Sequence, residues 1–325
     1  WNSRNAWRDV EIPAQVERNF DSHRITTIMA GEDEREGGAL LYFGLQQPLD
    51  ISAVNREVPS PMQFVSEARK LDSEVWIDIE KPFWWDVPVW LASGQMQSIG
   101  IANNHMCRSR MLADEAWGRP RDQEQLPAPR GNGFWTQEIY YHMLNCGIDI
   151  PPSAGSASGV LPNPVGYNRV YVHLEDGVPF TRASWYDALS RGNSFVTNGP
   201  LLVAEADGRI PGSRLTIEPE QKRRITIDVR LTSRDPVSKI EVIRNGAVVA
   251  TADCDDQVSQ QRTVEIDLDG AGWFLVRAIA DIDETFRFAS TAPWFVTTER
   301  GESRISKSSA QFFLDWTRER IGRVQ

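Results

Sequence analysis

Two hydrophobic periods run along the chain and divide it near residue 212. Between about residues 24 and 203, short apolar runs alternate with stretches of helical period, which predicts β/α units. After residue 213 apolar and polar positions alternate, as in RITIDVRLTS, and Asn245-Gly246 between two such runs predicts a β-hairpin. We therefore expect an α/β body over residues 1–212, a small antiparallel β-sandwich over residues 213–300 and a C-terminal docking helix over residues 301–325.

Two neighbouring elements of the α/β body are predicted in some detail. In SPMQFVSEARKL, Ser60 is the expected N-cap of a helix, and Gln63 three residues later completes a capping box. The strand EVWIDIE follows, and its isoleucines face one side of the sheet while Trp76, Asp78 and Glu80 face the other. A row of carboxylates therefore runs toward the carboxyl end of this strand.

Other segments bring polar residues to further strand ends. ITTIMA predicts a strand that runs into the acidic loop GEDERE (31–36), and QSIGIAN predicts a strand that ends at Asn103. Asp86 is expected to cap a short helix closed by Gly94, and TQEIYYHMLNCG predicts a longer helix. The polar segment 110–135 is a long loop, and its tryptophans favour a folded lid.

Composition and charge narrow the range of partners. The 325 residues carry a net charge of −10 and no dense basic cluster, which argues against nucleic acid. No apolar stretch of about 18 residues exists, so we expect a soluble chain with no membrane partner and no targeting segment in the sequence given. Three widely spaced cysteines do not predict a disulfide framework. A small-molecule or saccharide ligand is the expected partner, and a homo-oligomer stays open.

The polar segments at strand ends predict one shared pocket, because ligands gather at the carboxyl ends of parallel strands. In it Asp33 or Glu80 would act as acid or base, and Lys81 or His105 would hold a developing negative charge. Tryptophans beside carboxylates are typical of saccharide sites. The remaining residues expected to bind substrate are Glu32, Glu34, Asp78, Trp84, Trp85, Asp86, Asn103, Asn104, Arg108, Ser156 and Ser158.

Each of these signals also has a structural interpretation. The acidic segment 31–36 fits a solvated loop, and a single His such as His105 is more often structural than a ligand. Lys81 fits an ordinary ion pair at a strand end, and large aromatic residues often fill interfaces. The pocket therefore depends on convergence of several strand ends rather than on any one motif.

Four segments resemble the carbaryl-hydrolase-type branch of the PHP-domain metal-dependent hydrolases. They are GEDEREGGALLYFGL, KPFWWDVPVWLASG, NCGIDIPPSAGSASGVLPNPVGYNRVYVHL and GNSFVTNGPLL. The resemblance implies a PHP-like distorted (β/α)7 barrel whose first strand would precede Trp1, followed by the β-sandwich and the helix. For active members it also implies several metals held by His, Asp and Glu, which would generate a hydroxide for ester, carbamate or phosphoester hydrolysis.

The metal-ligand positions implied by this resemblance are mostly substituted. Trp1-Asn2 matches a His-Asn motif, Gly31-Glu32-Asp33 matches Gly-x-Glu, and Lys81-Pro82 matches His-Pro. Gly155–Gly159 matches Gly-Ser-Asp-x-His without its Asp and His. We therefore expect Lys81 to act as a built-in cation in place of metal. Zinc, manganese or iron would bind only if upstream residues completed a site with Asp33 and His105.

Two hypotheses of different class follow, with a lean toward the enzyme. The first is a divergent PHP-fold hydrolase with a degenerate metal site, acting on a small ester, carbamate, phosphoester or glycoside. The second is a non-catalytic module that binds a saccharide or polyol in the same pocket. A structural subunit with a vestigial pocket is a third, plainer possibility.

Overall fold

A computed structural model describes residues 17–21, 24–27, 29–51, 54–218, 222–299, 301 and 304–324, with side chains from residue 31 onward. The helices are α1 (Pro61–Leu71), α2 (Val87–Ser93), α3 (Gly131–Asn145), α4 (Arg182–Ser190) and α5 (Lys307–Val324). The strands of the first half are β1 (Glu17–Asp21), β2 (Arg24–Thr27), β3 (Met29–Arg35), β4 (Gly38–Phe43), β5 (Trp76–Ile79), β6 (Ser98–Ala102), β7 (Pro152–Ala154), β8 (Arg169–Val172) and β9 (Ser194–Thr197). The second half contains β10 (Leu201–Ala206), β11 (Arg214–Ile217), β12 (Arg223–Thr232), β13 (Lys239–Arg244), β14 (Ala247–Asp253), β15 (Ser259–Leu268), β16 (Gly272–Ile279), β17 (Phe288–Thr291) and β18 (Trp294–Thr298).

A five-stranded mixed sheet forms the centre of the first half, in the order β3-β4-β5-β6-β7. Strands β3, β4 and β5 are antiparallel, and only the pairs β5–β6 and β6–β7 are parallel. One face carries buried apolar side chains such as Leu40, Ile77 and Ile79, which share a core with Phe64 and Val65 of α1. The opposite face of the sheet borders a cavity.

The predicted (β/α)7 barrel is wrong. A barrel needs successive parallel strands joined by helices, whereas here the chain reverses at Glu36-Gly37 and β3 and β4 form an antiparallel hairpin. The acidic segment 31–36, expected as a loop, is therefore mostly strand. Strands β8 and β9 also leave this sheet and pair in the order β17-β9-β8 with the sheet of the second half.

The β-sandwich predicted from the alternating pattern is confirmed. A three-stranded sheet, β10-β12-β15, faces an eight-stranded sheet that runs β11-β18-β16-β17-β9-β8. In the larger sheet β13 also pairs with β16, and β14 pairs with β13. The side chains between them form a second core, which includes Leu202, Ile227, Val242 and Phe274. Asn245-Gly246 forms the expected turn between β13 and β14, and both residues have positive φ angles, 51° and 93°.

The predicted helices are present with some shifts. Ser60 accepts a hydrogen bond from the backbone N–H of Met62, but Gln63 donates to Glu67 instead of closing the capping box. Helix α2 follows Asp86 and is closed by Gly94, as expected, but the Asp86 side chain makes no capping hydrogen bond and binds Arg320 instead. Helix α3 starts five residues before the expected Thr136, since its first residue is Gly131.

Helix α5 binds the first half of the chain. Trp316 is fully buried, and Arg320 donates to Asp86 over 2.6 Å and to Glu57 over 2.6 Å. Arg119 lies 5.0 Å from the centroid of the Trp316 ring. Among the described residues no helix combines the length and the apolar character that crossing a bilayer requires.

Candidate functional site

A cavity of about 500 Å³ lies over the second face of the five-stranded sheet. The sheet forms its floor, helix α4 and Val170 of β8 cover it, and the segment after β7 forms one rim. Its lining residues are Glu32, Leu41, Phe43, Trp76, Asp78, Glu80, Ser98, Gly100, Asn104, Ser153, Ala154, Gly155, Ala157, Ser158, Val160, Val170, Trp185, Tyr186 and Leu189. This volume is typical of a site for a small molecule.

Strand register places the central residues of the floor in one row. Glu32 pairs with Leu41, Leu41 pairs with Asp78, and Asp78 pairs with Ser98. Paired residues of adjacent strands point to the same face of a sheet. The row therefore brings two carboxyl groups and a hydroxyl to the cavity, and Glu80 follows two residues after Asp78 on the same face.

Two serine hydroxyls hold Asp78 in the cavity floor. The hydroxyls of Ser98 and Ser153 both donate to its Oδ2, and Ser98 in turn accepts from Trp76 Nε1 over 2.7 Å. Burial raises the pKa of Asp78 to about 6, the two serine hydrogen bonds counteract that rise, and the nearby charge of Glu80 adds to it. Asp78 is therefore mostly ionised at pH 7 and titrates just below it.

Glu80 is held by three donors at the edge of the cavity. Lys81 Nζ lies 2.6 Å from its Oε2, Asn104 Nδ2 donates to Oε1 over 3.0 Å, and Trp84 Nε1 donates to Oε2 over 3.3 Å. A Cβ at Gly100 would lie 2.1 Å from the carbonyl oxygen of Glu80, so this close approach of two strands requires glycine.

Glu32 is the third carboxyl group of the cavity. Burial is the main reason that its pKa is raised to about 8, and the charges of Glu80 and Glu34 raise it further, while Lys81 lowers it. Glu32 is therefore mostly protonated at pH 7. The cavity combines an ionised and a protonated carboxyl group, which is the arrangement that general acid–base chemistry requires.

Aromatic rings from helix α4 and from β5 form a wall beside the carboxyl groups. The centroid of Tyr186 lies 4.7 Å from that of Trp76 and 5.1 Å from that of Trp185. Phe43 and Leu189 extend this apolar surface. Trp185 and Tyr186 come from helix α4, whose start is fixed by a capping box between Thr181 and Ser184.

Asp33, predicted to be an acid or base, lies outside the cavity. It neighbours Glu32 on β3 and therefore points to the opposite face of the sheet. Both its oxygens accept hydrogen bonds from Arg35, over 2.6 and 2.8 Å, and both residues are buried. The prediction placed residues 31–36 in a loop and so missed this alternation.

Lys81 and His105 lie next to the cavity rather than in its wall. Lys81 is buried between Glu80 and the Trp84 ring, 4.5 Å from the ring centroid. Nδ1 of His105 lies 3.1 Å from the carbonyl oxygen of Asp114. Burial and the nearby Lys81 charge lower the pKa of His105 to about 3, so its ring is neutral at pH 7. Neither side chain contacts the cavity.

Most of the other predicted binding residues have structural contacts. Asp86 binds Arg320, Trp84 stacks on Trp117 at 5.0 Å, and Arg323 lies 4.2 Å from the centroid of Trp85. The predicted residues that do line the cavity are Glu32, Asp78, Glu80, Asn104 and Ser158. Those that do not line it are Glu34, Trp84, Trp85, Asp86, Asn103, Arg108 and Ser156.

Three of those residues have clear local roles. Asn103 accepts from the backbone N–H of His105 over 3.1 Å. Ser156 accepts from the backbone N–H of Asn168 over 2.9 Å. The carbonyl oxygen of Arg108 accepts from Arg287, and its side chain is exposed. The expected lid tryptophan, Trp117, likewise donates its ring N–H to the Arg35 carbonyl oxygen.

The metals implied by the family resemblance do not fit the described residues. Arg35 already supplies a cation to both oxygens of Asp33, and the ammonium of Lys81 lies beside Glu80. In the part of the chain that the structure describes, no group of three or more His, Cys, Asp or Glu side chains is placed to hold a metal ion. Trp1-Asn2, the remaining matched motif, lies outside the described residues.

Sequence reasoning missed Ser98, Ser153, Trp185 and Tyr186. Ser98 begins an alternation with Gly100 and Ala102, three small residues on one face of β6, which is a usable signal for a cavity floor. The helix WYDAL carries no comparable signal, because its position over the sheet depends on the path of β8 and β9 into the other sheet.

Comparisons with known proteins add little to this geometry. No model of a known protein family matches the sequence, and no curated protein matches it. Among solved structures, the chain is similar to the fibronectin(III)-like modules of Clostridium thermocellum CbhA, at 20% identity and a TM-score of 0.21, over 29% of this chain and 94% of that one. It is also similar to a superoxide reductase (neelaredoxin) from Ignicoccus hospitalis, at 10% identity and a TM-score of 0.20, over 32% of this chain and 82% of that one. At such low TM-scores neither likeness supports a statement about function.

Proposed function

We propose that the cavity hydrolyses a small ester, carbamate or glycoside by general acid–base catalysis, with Asp78 as the base and Glu32 as the acid. The observation that carries this proposal is the setting of Asp78. Two serine hydroxyls fix its Oδ2 inside a cavity that Glu32 and Glu80 also line. The motif resemblance to PHP-domain hydrolases supports the same reaction class.

In this mechanism Asp78 takes a proton from a water molecule, and that water attacks the carbonyl or anomeric carbon. Glu32 gives its proton to the leaving oxygen. Glu80, paired with Lys81, contributes to the raised pKa of Glu32. The sequence also predicted a phosphoester as a substrate. Such an anion is disfavoured, because the acidic and basic side chains among the described lining residues are all carboxyl groups, which repel it.

Substitution of each carboxyl group tests the proposal. Asp78→Asn and Glu32→Gln should each lower kcat/KM by roughly 10²- to 10⁴-fold on the best of a panel of chromogenic esters, carbamates and glycosides. The wild-type profile of kcat/KM should be bell-shaped with limbs near pH 6 and pH 8, set by Asp78 and Glu32. Asp72→Asn and Glu36→Gln, which change exposed or half-buried groups outside the cavity, serve as matched controls. Unchanged rates in both cavity variants would refute the proposal.

Binding of a saccharide or polyol without turnover is the second candidate. Hydroxyl and amide groups from Ser98, Ser153, Ser158 and Asn104 lie beside the aromatic wall, a combination suited to sugar hydroxyls and sugar faces. Thermal unfolding with a sugar and polyol panel separates the two candidates. A rise in Tm with no turnover of any chromogenic substrate would favour binding alone.

A further inference from the structure

Three aromatic rings of the cavity form a corner rather than a flat wall. Tyr186 and Trp185 are almost perpendicular, with an interplanar angle of 89°, and Tyr186 is tilted 41° to Trp76. All three line the same cavity, two from helix α4 and one from β5. Ring faces that meet at an angle surround a compact group from several sides, and such faces carry negative charge density.

A buried carboxylate lies beside this corner. Asp78 lies two residues after Trp76 on β5 and therefore on the same face of the sheet. Only 6% of its surface is exposed. Asp78 and Tyr186 line the same cavity. Burial is the main reason that the pKa of Tyr186 is raised, Arg182 lowers it, and the charge of Asp78 raises it further. Both serine hydrogen bonds fall on Oδ2, and among the described residues none donates to Oδ1. Oδ1 is therefore left for a ligand.

The charge of the cavity has one sign. The ionisable groups that line it, apart from Tyr186, are the carboxyl groups of Glu32, Asp78 and Glu80, and none of the described lining residues is Lys, Arg or His. The ammonium of Lys81 neutralises Glu80 from behind the wall, so Asp78 supplies the charge that is not balanced by a neighbouring cation. Low-dielectric walls concentrate this field on the cavity.

We infer that the ligand of this cavity carries a compact ammonium group, methylated or quaternary, that binds in the corner of Trp76, Trp185 and Tyr186 beside Asp78. The inference rests on the proposed function only in placing the substrate in the same cavity. An ammonium with methyl groups satisfies both features at once, because its charge interacts with the rings and Asp78 while its methyl groups bury against apolar surface. A primary ammonium would lose more hydration on entry.

Equilibrium binding tests the inference with two isosteric probes, choline and neohexanol, in which a carbon replaces the charged nitrogen. Calorimetry at neutral pH should show choline binding at least about tenfold more tightly than neohexanol, since a desolvated cation–π site discriminates by this order. Trp185→Leu and Tyr186→Leu should abolish the preference, whereas Tyr186→Phe, which retains the ring, should preserve it. Trp117→Leu, at an exposed tryptophan outside the cavity, is the matched control. Equal affinities for the two probes in the wild type would overturn the inference.

The preference for choline should also depend on pH. It should fall as pH decreases through about 6, because protonation removes the charge of Asp78. The groups that face Asp78 are Ser98 and Ser153 from β6 and β7, Glu32 from β3, Glu80 with Lys81, and Tyr186 with Arg182 from α4. Asp78→Asn should remove this pH dependence together with the preference. A preference that stays constant from pH 5 to pH 8 would contradict the role of Asp78.

A second pair of probes separates this inference from the proposed function. Acetylthiocholine and its uncharged carbon isostere release the same kind of thiol, so one thiol assay measures both. Turnover of both at equal kcat/KM would overturn the ammonium inference and leave the hydrolase intact. Choline binding with the expected preference, but no turnover of either thioester or of the chromogenic panel, would support the ammonium site and refute the hydrolase.

Discussion

Burial of the carboxyl groups in the cavity lowers the free energy of unfolding by an amount that depends on pH. The pKa of Asp78 is raised from 3.8 to about 6 in the folded protein, mainly by burial. The folded state therefore binds a proton more tightly than the unfolded state. It follows that this site favours folding fully below about pH 4, and that the advantage is lost as pH rises through 6. Glu32 acts in the same direction, because its pKa is raised from its ordinary value of 4.5 to about 8.

We predict that Asp78→Asn will reduce this pH dependence. The free energy of unfolding of the variant minus that of wild type should rise by about 2 kcal/mol from pH 4 to pH 7, because one pKa unit corresponds to about 1.4 kcal/mol. Urea unfolding at a series of pH values in this range measures the difference. Asp72→Asn, at a half-buried carboxyl group next to the end of α1 and outside the cavity, should follow the wild-type curve. A constant difference between Asp78→Asn and wild type at all pH values would contradict the burial argument.

The ion pair of Lys81 and Glu80 lies in the segment of the sequence that most strongly predicted a pocket. The segment DIEKPFWWD was expected to combine acids, an ammonium and aromatic surfaces in one pocket. The structure distributes them instead: Glu80 lines the cavity, Lys81 balances it from behind, and Trp85 lies under Arg323 of α5. An ion pair of this kind counteracts the desolvation of both charges.

At the scale of elements, the sequence predicted alternation better than connectivity. The alternation in EVWIDIE correctly placed Trp76, Asp78 and Glu80 on one face, since two-residue periodicity is a local property of a strand. The antiparallel return of β4 onto β3 was missed, because GEDEREGG was interpreted as a loop although Gly37-Gly38 is a usable turn signal. Pairing partners such as β9 with β17 depend on contacts between distant segments and carry no local signature.

Helix α5 offers a prediction at this scale. Arg320 is buried and binds both Asp86 and Glu57, which joins the last helix to the segments that flank the hairpin and α2. Arg320→Leu should lower the free energy of unfolding by about 2–4 kcal/mol, because it leaves two carboxylates without their cation. Arg318→Leu changes an exposed arginine of the same helix that pairs with Asp315, and it should stay within about 0.5 kcal/mol of wild type.

Chemical denaturation followed by tryptophan fluorescence measures both variants of α5. Trp85 is buried next to α5, and Trp316 is a buried residue of α5 itself, so their emission should change when the helix is released. Equal stability of Arg320→Leu and Arg318→Leu would show that α5 is held by its apolar face alone. The packing of Phe312, Phe313 and Trp316 on the apolar core would then account for the whole attachment.

At the scale of the whole molecule, one hydrophobic core contains residues from both halves of the chain. Trp273, Leu275 and Phe286 of the second half belong to the same buried cluster as Ile139 and Leu144 of α3. Hydrogen bonds cross at the same place, since Trp273 Nε1 donates to Asn145 over 2.9 Å. Shared burial of this kind makes the two halves depend on each other for stability.

Arg277 lies at the centre of this contact between the two halves of the chain. It donates to Glu241 over 2.9 and 2.6 Å within the sandwich and to Gln137 of α3 over 2.5 Å, and all three residues are buried. Arg277→Met should cost about 3–5 kcal/mol, because the buried Glu241 carboxylate loses its bidentate partner and keeps Lys239, whose exposed Nζ lies 3.4 Å from Oε1. The double variant Arg277→Met with Glu241→Gln removes that charge and should recover part of the loss.

The two variants also distinguish stability from coupling between the halves. In wild type, far-ultraviolet circular dichroism, dominated by the strands, and tryptophan fluorescence should give coincident unfolding curves. In the double variant the curves should separate, because the neutral pair restores stability within the sandwich but not the bond from Arg277 to Gln137. Coincident curves in the double variant would show that apolar burial around Trp273 is enough to couple the two halves. Arg224→Ala, at an exposed ion pair on β12, is the control that should leave both curves unchanged.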